Sequence, residues 1–156
     1  WVSPYLRTRQ TAEPFKNLKW SDGSPLFVSM KEDVALVEQQ FGLFDGLTDE
    51  ELQEKYPNEY EHYNKCERFN GRFWARMPLG ESRLDVTLRV HQLFGTWQRD
   101  VEKHNIHKLV VISHGVTIRA IVMRWLHHFV EWFEAEKNPT NCSVRLIKDC
   151  TDCGYL

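Results

Sequence analysis

"LVVISHGVTIRAIVM" spans Leu109–Met123. With the preceding lysine, the run "KLVVI" (108–112) is short, continuously apolar and β-branched. That is the pattern of a strand buried on both faces, as in a parallel sheet. From Val116 to about Phe129 the pattern becomes helical: Ile118, Ile121, Val122, Trp125 and Phe129 recur at spacings of three and four. His114 and Gly115 therefore fall at a strand-to-helix turn. In an open α/β sheet, ligands bind beyond the carboxyl ends of the strands. The amides that open the next helix carry partial positive charge toward the same place. Gly115 lets the backbone turn tightly and leaves room for a ligand. The stretch thus predicts an anion site, for phosphate above all. A histidine satisfied by hydrogen bonds inside the turn fits the same position.

The flanking chain repeats the rhythm. "ESRLDVTLRVHQLFGTWQRDVEKH" (81–104) places Val86, Val90, Leu93, Phe94, Trp97 and Val101 on one helical stripe, and Ser82 with Asp85 resembles a capping box. "SPYLRTRQTAE" (3–13) reads as a polar helical segment ended by Pro14. "PLFVSM" (25–30) and "CSVRLI" (142–147) read as strands. "LTDEELQEKY" (47–56) is a short helix with Thr48 and Glu51 in capping-box register. Helix, buried strand, helix is the order of a doubly wound α/β fold.

The chain has 156 residues, enough for one domain that buries roughly 70% of its unfolded surface. A net charge of −2 gives no footprint for nucleic acid or an anionic membrane. No apolar run approaches the ~18 residues that a membrane span needs. The four cysteines, Cys66, Cys142, Cys150 and Cys153, are few for a disulfide scaffold and suit a reducing, cytoplasmic setting. "CTDC" (150–153), "HNIH" (104–107) and His127–His128 are weak metal signals, and no metal or cofactor is expected.

Three further stretches join the turn at His114. "VSPYLRTRQTA" (2–12) offers Arg7, whose guanidinium can fork onto phosphoryl oxygens. "DVALVEQQFGLFDG" (33–46) holds Glu38 in a mostly apolar frame. "MPLGES" (77–82) delivers the chain to the capped helix. In order, S-P-x-x-R-x-x-Q-T, L-x-E-x-x-x-G, G-E-S and S-H-G resemble the histidine phosphatase superfamily, the phosphoglycerate-mutase-like proteins, over nearly the whole chain. The resemblance implies a three-layer α/β/α sandwich with a mainly parallel sheet. It implies a phosphomonoesterase that works through a phosphohistidine, without a cofactor, on a small phosphorylated substrate. It implies Arg7 and His114 as phosphoryl-binding groups, Gly115 as a backbone N–H donor and Glu38 as the proton donor. A phosphoglycerate-type mutase and a non-catalytic phosphate-binding module share the pattern, and a homodimer is open.

One part of the family pattern is missing. The nucleophilic histidine of the family lies in an R-H-G motif ahead of S-P-x-x-R, and no R-H-G occurs in these residues. The expectation is a single domain over 1–156, incomplete at both ends, with its first strand and its nucleophile upstream of residue 1. Asn141 reads as a turn-former. Arg68, Arg72 and Arg76 either face a substrate or form a solvated basic face. Phe69, Phe73 and Trp74 are expected to pack. Arg83, Arg89 and Arg119 are expected in salt bridges, and Arg9 and His91 at the surface.

Overall fold

The computed structural model describes residues 1–26 and 29–156. Six α-helices are present among them: α1 (Leu6–Ala12), α2 (Asp49–Lys55), α3 (Pro57–Asn70), α4 (Arg83–His104), α5 (Gly115–Trp125) and α6 (Val130–Ala135). Both anticipated capping boxes form, Thr48 with Glu51 on α2 and Ser82 with Asp85 on α4. Each satisfies amides that the first helical turn would otherwise leave without partners.

The parallel pairing anticipated from the sequence is seen around Val2, which bridges in parallel to both Glu32 and Ile112. Segment 1–3 thus lies between 31–33 and 108–112. Val2 N–H donates to Lys31 O at 2.9 Å, Ile112 N–H to Trp1 O at 2.9 Å, and Ser3 N–H to Ile112 O at 3.0 Å. The pairing is short, so these are isolated bridges. The regular ladder is instead the antiparallel hairpin β1 (Arg145–Lys148) and β2 (Thr151–Tyr155). Its turn has Asp149 at φ +50° and Cys150 at φ +58°. Positive φ at both central residues matches the twist of paired strands, which explains why the late strand folds back on itself.

One strand expectation lies partly outside the described residues and another shifts. The stretch 25–30 contains Phe27 and Val28, which lie outside the described residues, and the parallel partner of Val2 begins at Lys31. Segment 108–112 is not buried on both faces. Leu109 and Val111 pack against the buried Leu36, Leu93 and Trp97, while Val110 between them is 46% exposed. Side chains alternate across an extended chain, so one face meets α4 and the other does not.

Helix α4 is the spine. Its Val86 and Val90 are fully buried against Val116, Ala120 and Met123 of α5 and Phe133 of α6. Burying each such side chain contributes about 1.5–3 kcal/mol. On α5 the buried face carries Val116, Ala120 and Met123, with Trp125 exposed. Of the anticipated stripe, Val122 is buried and Ile121 packs against the core, whereas Trp125 and Phe129 are exposed, because α5 ends at Trp125 and Phe129 caps α6. A second cluster, Phe44, Leu52, Tyr63 and Ala75, ties α2 and α3 to the 71–77 loop. Phe73 packs as expected, but Phe69 is 91% exposed and Trp74 is also exposed.

Candidate active site

His114 sits at the N-cap position of α5, where the paired segment 108–112 ends. The neighbouring segment ends at Ser3 and turns through Tyr5 into α1, whose first turn carries Arg7. Parallel pairing of Val2 with Ile112 brings these two exits side by side. Arg7 Nε and one terminal nitrogen lie 3.2 and 2.8 Å from His114 Nδ1. A guanidinium can only donate, so Nδ1 is the acceptor and the proton of a neutral ring is on Nε2. Nε2 lies 2.8 Å from Ser3 Oγ, which completes that arrangement. The Tyr5 ring meets the imidazole edge-on at 5.0 Å and lies under the Arg7 guanidinium at 4.8 Å.

The imidazole is only 7% exposed. Burial pushes its pKa below the usual histidine value, the Arg7 charge adds to that, and Glu38 opposes it. Among the described residues no carboxylate pairs with Arg7, whereas Arg9, Arg76, Arg83, Arg89 and Arg145 all have one. An arginine without a counter-ion beside a neutral histidine is a place where an anion is welcome.

Glu38 arrives from the other side. Its Oε1 accepts from Gln39 N–H at 2.9 Å, its Oε2 from Val116 N–H at 3.4 Å, and Thr117 Oγ1 donates to Oε1 at 3.4 Å. The carboxylate therefore occupies the amide end of α5, in the first turn of the helix that His114 caps. Arg7, Glu38 and His114, chosen from sequence, are brought to one locus. The fourth, Gly115, is there for a different reason than a tight turn. It is the first residue of α5, and a Cβ on it would sit 3.1 Å from Asn138 Oδ1. Room for the Asn138 side chain is what glycine provides.

Other candidates separate. Arg72 pairs with Glu67 and Arg76 with Asp85 at the surface, which is the solvated-face alternative. Arg76 also lines a groove of about 420 Å³ with Asn58, His62 and Leu79, and none of Arg7, Glu38 or His114 lines it. Arg83 and Arg89 are in salt bridges as expected. Arg119 is not: it is buried and donates to the carbonyls of Phe133 and Glu136 at the end of α6. Arg9 is exposed and bound to Glu32, and Asn141 lies exposed in a turn. Cys150 and Cys153 are exposed free thiols, one in the hairpin turn and one in β2. No group of three or more metal-type ligands occurs among the described residues. Sequence reasoning passed over Tyr5, Glu81 and Asn138; Glu81 was flagged only as part of G-E-S.

This geometry has relatives. The family model for the histidine phosphatase superfamily (branch 1) matches residues 1–154. The chain belongs to the histidine phosphatase superfamily. It is 32% identical to a phosphoglycerate mutase-like protein of Arabidopsis thaliana, over 95% of this chain and 45% of that one. It is 29% identical to a Saccharomyces cerevisiae fructose-2,6-bisphosphatase, over 78% of this chain and 22% of that one. Among solved structures, a mycobacterial glucosyl-3-phosphoglycerate phosphatase complexed with inorganic phosphate is 26% identical, with a TM-score of 0.61, covering 91% of this chain and 65% of that one. The chain spans about half the length of the first two curated relatives, 45% and 50%. The superfamily's phosphoglycerate-mutase-like α/β architecture is therefore the frame in which the parallel bridges and the α4–α5 pair are set. The superfamily includes proteins named as phosphatases that act on small phosphate esters. No helix among the described residues is long and apolar enough to cross a membrane.

Proposed function

We propose that this superfamily member contributes the phosphoryl-binding and proton-donating half of a cofactor-independent phosphomonoesterase. Arg7 unneutralised against His114 Nδ1 is the observation that carries the reading. Two groups able to face phosphoryl oxygens meet at a strand exit, and a carboxylate stands at the first turn of the helix that follows. Phosphoryl transfer needs chiefly positioning and positive charge around the equatorial oxygens.

The balanced sequence has two steps. A histidine of an R-H-G segment, outside residues 1–156, attacks phosphorus with its ring nitrogen lone pair. The P–O bond to the alcohol breaks, and Glu38 gives its proton to the departing oxygen. Water then attacks the phosphohistidine, its proton passes to the Glu38 carboxylate, and phosphate leaves. Arg7 and His114 hold the phosphoryl oxygens throughout, and Gly115, the first residue of α5, offers its backbone N–H to the same group. A small phosphate monoester in the cytoplasm is the substrate class.

The test uses the full-length protein and p-nitrophenyl phosphate. A phosphoenzyme that is stable in alkali and labile in acid should accumulate after rapid quenching, and Arg7→Met should abolish it. Steady turnover with no such intermediate overturns the mechanism. No turnover on any small monoester, in a protein that binds phosphate, overturns the enzyme reading itself.

A further inference from the structure

Residues 35–38 belong neither to a strand nor to an α-helix beyond the short 3-10 turn Val34–Leu36, yet four successive carbonyls there are each held by a side chain. Ala35 O accepts from Arg89 at 2.5 Å, Leu36 O from Ser113 Oγ at 2.8 Å, Val37 O from Thr117 Oγ1 at 2.7 Å, and Glu38 O from Arg89 at 3.2 Å. The donors come from three places: Ser113 in the turn before His114, Thr117 in the first turn of α5, and Arg89 on α4. Arg89 spans the outer two carbonyls with its two terminal nitrogens. Glu81 then fixes Arg89 by accepting from Nε at 2.8 Å and from a terminal nitrogen at 3.1 Å. Glu81 is itself tied to the loop, for its N–H donates to Gln40 O at 2.8 Å and its Oε2 accepts from Gln40 N–H at 3.0 Å. Both members of the pair are largely shielded from solvent, at 17% and 20% side-chain exposure.

We propose that Arg89, locked by Glu81, is a positioning residue that sets the height and angle at which Glu38 presents its carboxyl group to the leaving oxygen. A planar guanidinium suits this duty because its donors form a rigid fork, whereas an ammonium is a single point. The inference rests on the proton-donor reading of Glu38. The segment has no regular ladder, so side-chain bonds set its position: Ser113 and Thr117 hold its middle, and Arg89 holds Ala35 O and the carbonyl of Glu38 itself. A displacement of about 1 Å at such a group costs on the order of 10²-fold in rate. The effect has a signature, because a good leaving group needs no proton.

The test compares an alkyl phosphate with p-nitrophenyl phosphate in the full-length protein. Variants are Arg89→Lys, which keeps the charge near His114, Glu81→Gln and Glu38→Gln. Arg89→Lys and Glu81→Gln should each lower kcat on the alkyl ester by about 10²-fold and leave p-nitrophenyl phosphate within a few-fold. Combined with Glu38→Gln, neither should lower it further. Thermal melting identifies a variant that fails to fold, and the two variants replace each other in that case. Equal losses on both esters, or losses that multiply with that of Glu38→Gln, overturn the inference and leave the proton-donor reading standing. A Glu38→Gln variant that itself shows no dependence on the leaving group sinks both.

Discussion

Arg7 donates to His114 Nδ1 across 107 positions of sequence, at 2.8 Å, and so fixes which ring nitrogen carries the proton. A cation would not ordinarily sit against a group that can become a cation. The pair is consistent only with a neutral imidazole, which agrees with a pKa pushed down by burial and by Arg7. A phosphate dianion between the two groups would reverse the balance, because an opposite charge favours the protonated ring. The histidine resonances of residues 1–156 should show His114 titrating below the ordinary value in phosphate-free buffer, and moving upward when orthophosphate is added. A midpoint that ignores phosphate would place the anion elsewhere.

The same shift has a consequence for stability. The folded protein binds the His114 proton more weakly than the unfolded chain does. The neutral ring is therefore no burden above the unfolded pKa near 6.5, and stability falls as pH drops below that value, until the folded group also protonates. Urea midpoints should decline between pH 7.5 and pH 5, and the decline should shrink in His114→Gln. An unchanged slope in that variant would assign the pH dependence to other groups.

The sequence made His114 legible because only Ser113 separates it from the apolar run 108–112, and Arg7 through the S-P-x-x-R stretch; chain exits of parallel segments converge. Glu38 was legible only through its motif frame, since nothing local marks a carboxylate that will cap a helix 78 positions later at Val116 N–H. The Arg89 clamp was hidden for a physical reason. Its targets are backbone carbonyls, which every residue has, and the nearest of them is 51 positions away. The β1–β2 hairpin was half legible. "CSVRLI" looks like a strand, but "TDCGY" holds Asp and Gly, which rarely signal one. It is held instead by Arg145, which pairs with both Asp152 and Glu136 and lies over the Tyr155 ring.

Glycines 42 and 46 offer a matched comparison. Both have positive φ, at +59° and +73°. A Cβ on Gly42 would lie 2.1 Å from Pro78 O, a backbone atom, whereas one on Gly46 meets nothing within 4 Å. Gly46→Ala should cost about 1 kcal/mol from the left-handed backbone alone. Gly42→Ala must also part the 40–42 and 78–80 turns, breaking the Leu43 N–H to Pro78 O bond and disturbing the loop that carries Glu38. It should cost more than about 3 kcal/mol in urea melts. Equal costs at the two positions would mean that the turns are not in contact.

Gly115 tests the contact that replaces the expected tight turn. An alanine there has good helix propensity, worth about 1 kcal/mol relative to glycine. Its Cβ would press on Asn138 Oδ1 at 3.1 Å, but Asn138 is exposed and its side chain can swing away. Gly115→Ala should therefore change stability by less than about 1 kcal/mol.

The strongest catalytic expectation concerns His114 in the full-length protein. Ser3 holds its Nε2, so Nδ1 beside Arg7 is the nitrogen that would donate to the phosphoryl group once the anion enters and the ring takes up a proton. Removing one such donor to a developing charge costs roughly 3–4 kcal/mol, or about 10²–10³-fold in kcat. His114→Ala should lose that much on good and poor leaving groups alike, because the phosphoryl oxygens need it whichever alcohol departs. Arg7→Lys should fall between wild type and Arg7→Met, since a point charge keeps the attraction but not the fork onto Nδ1. Circular dichroism should be unchanged, as Arg7 is exposed and Ser3 keeps its pairing to Ile112. A His114→Ala protein that retained full kcat with an intact fold would remove this histidine from the chemistry and leave it only the structural bond to Ser3.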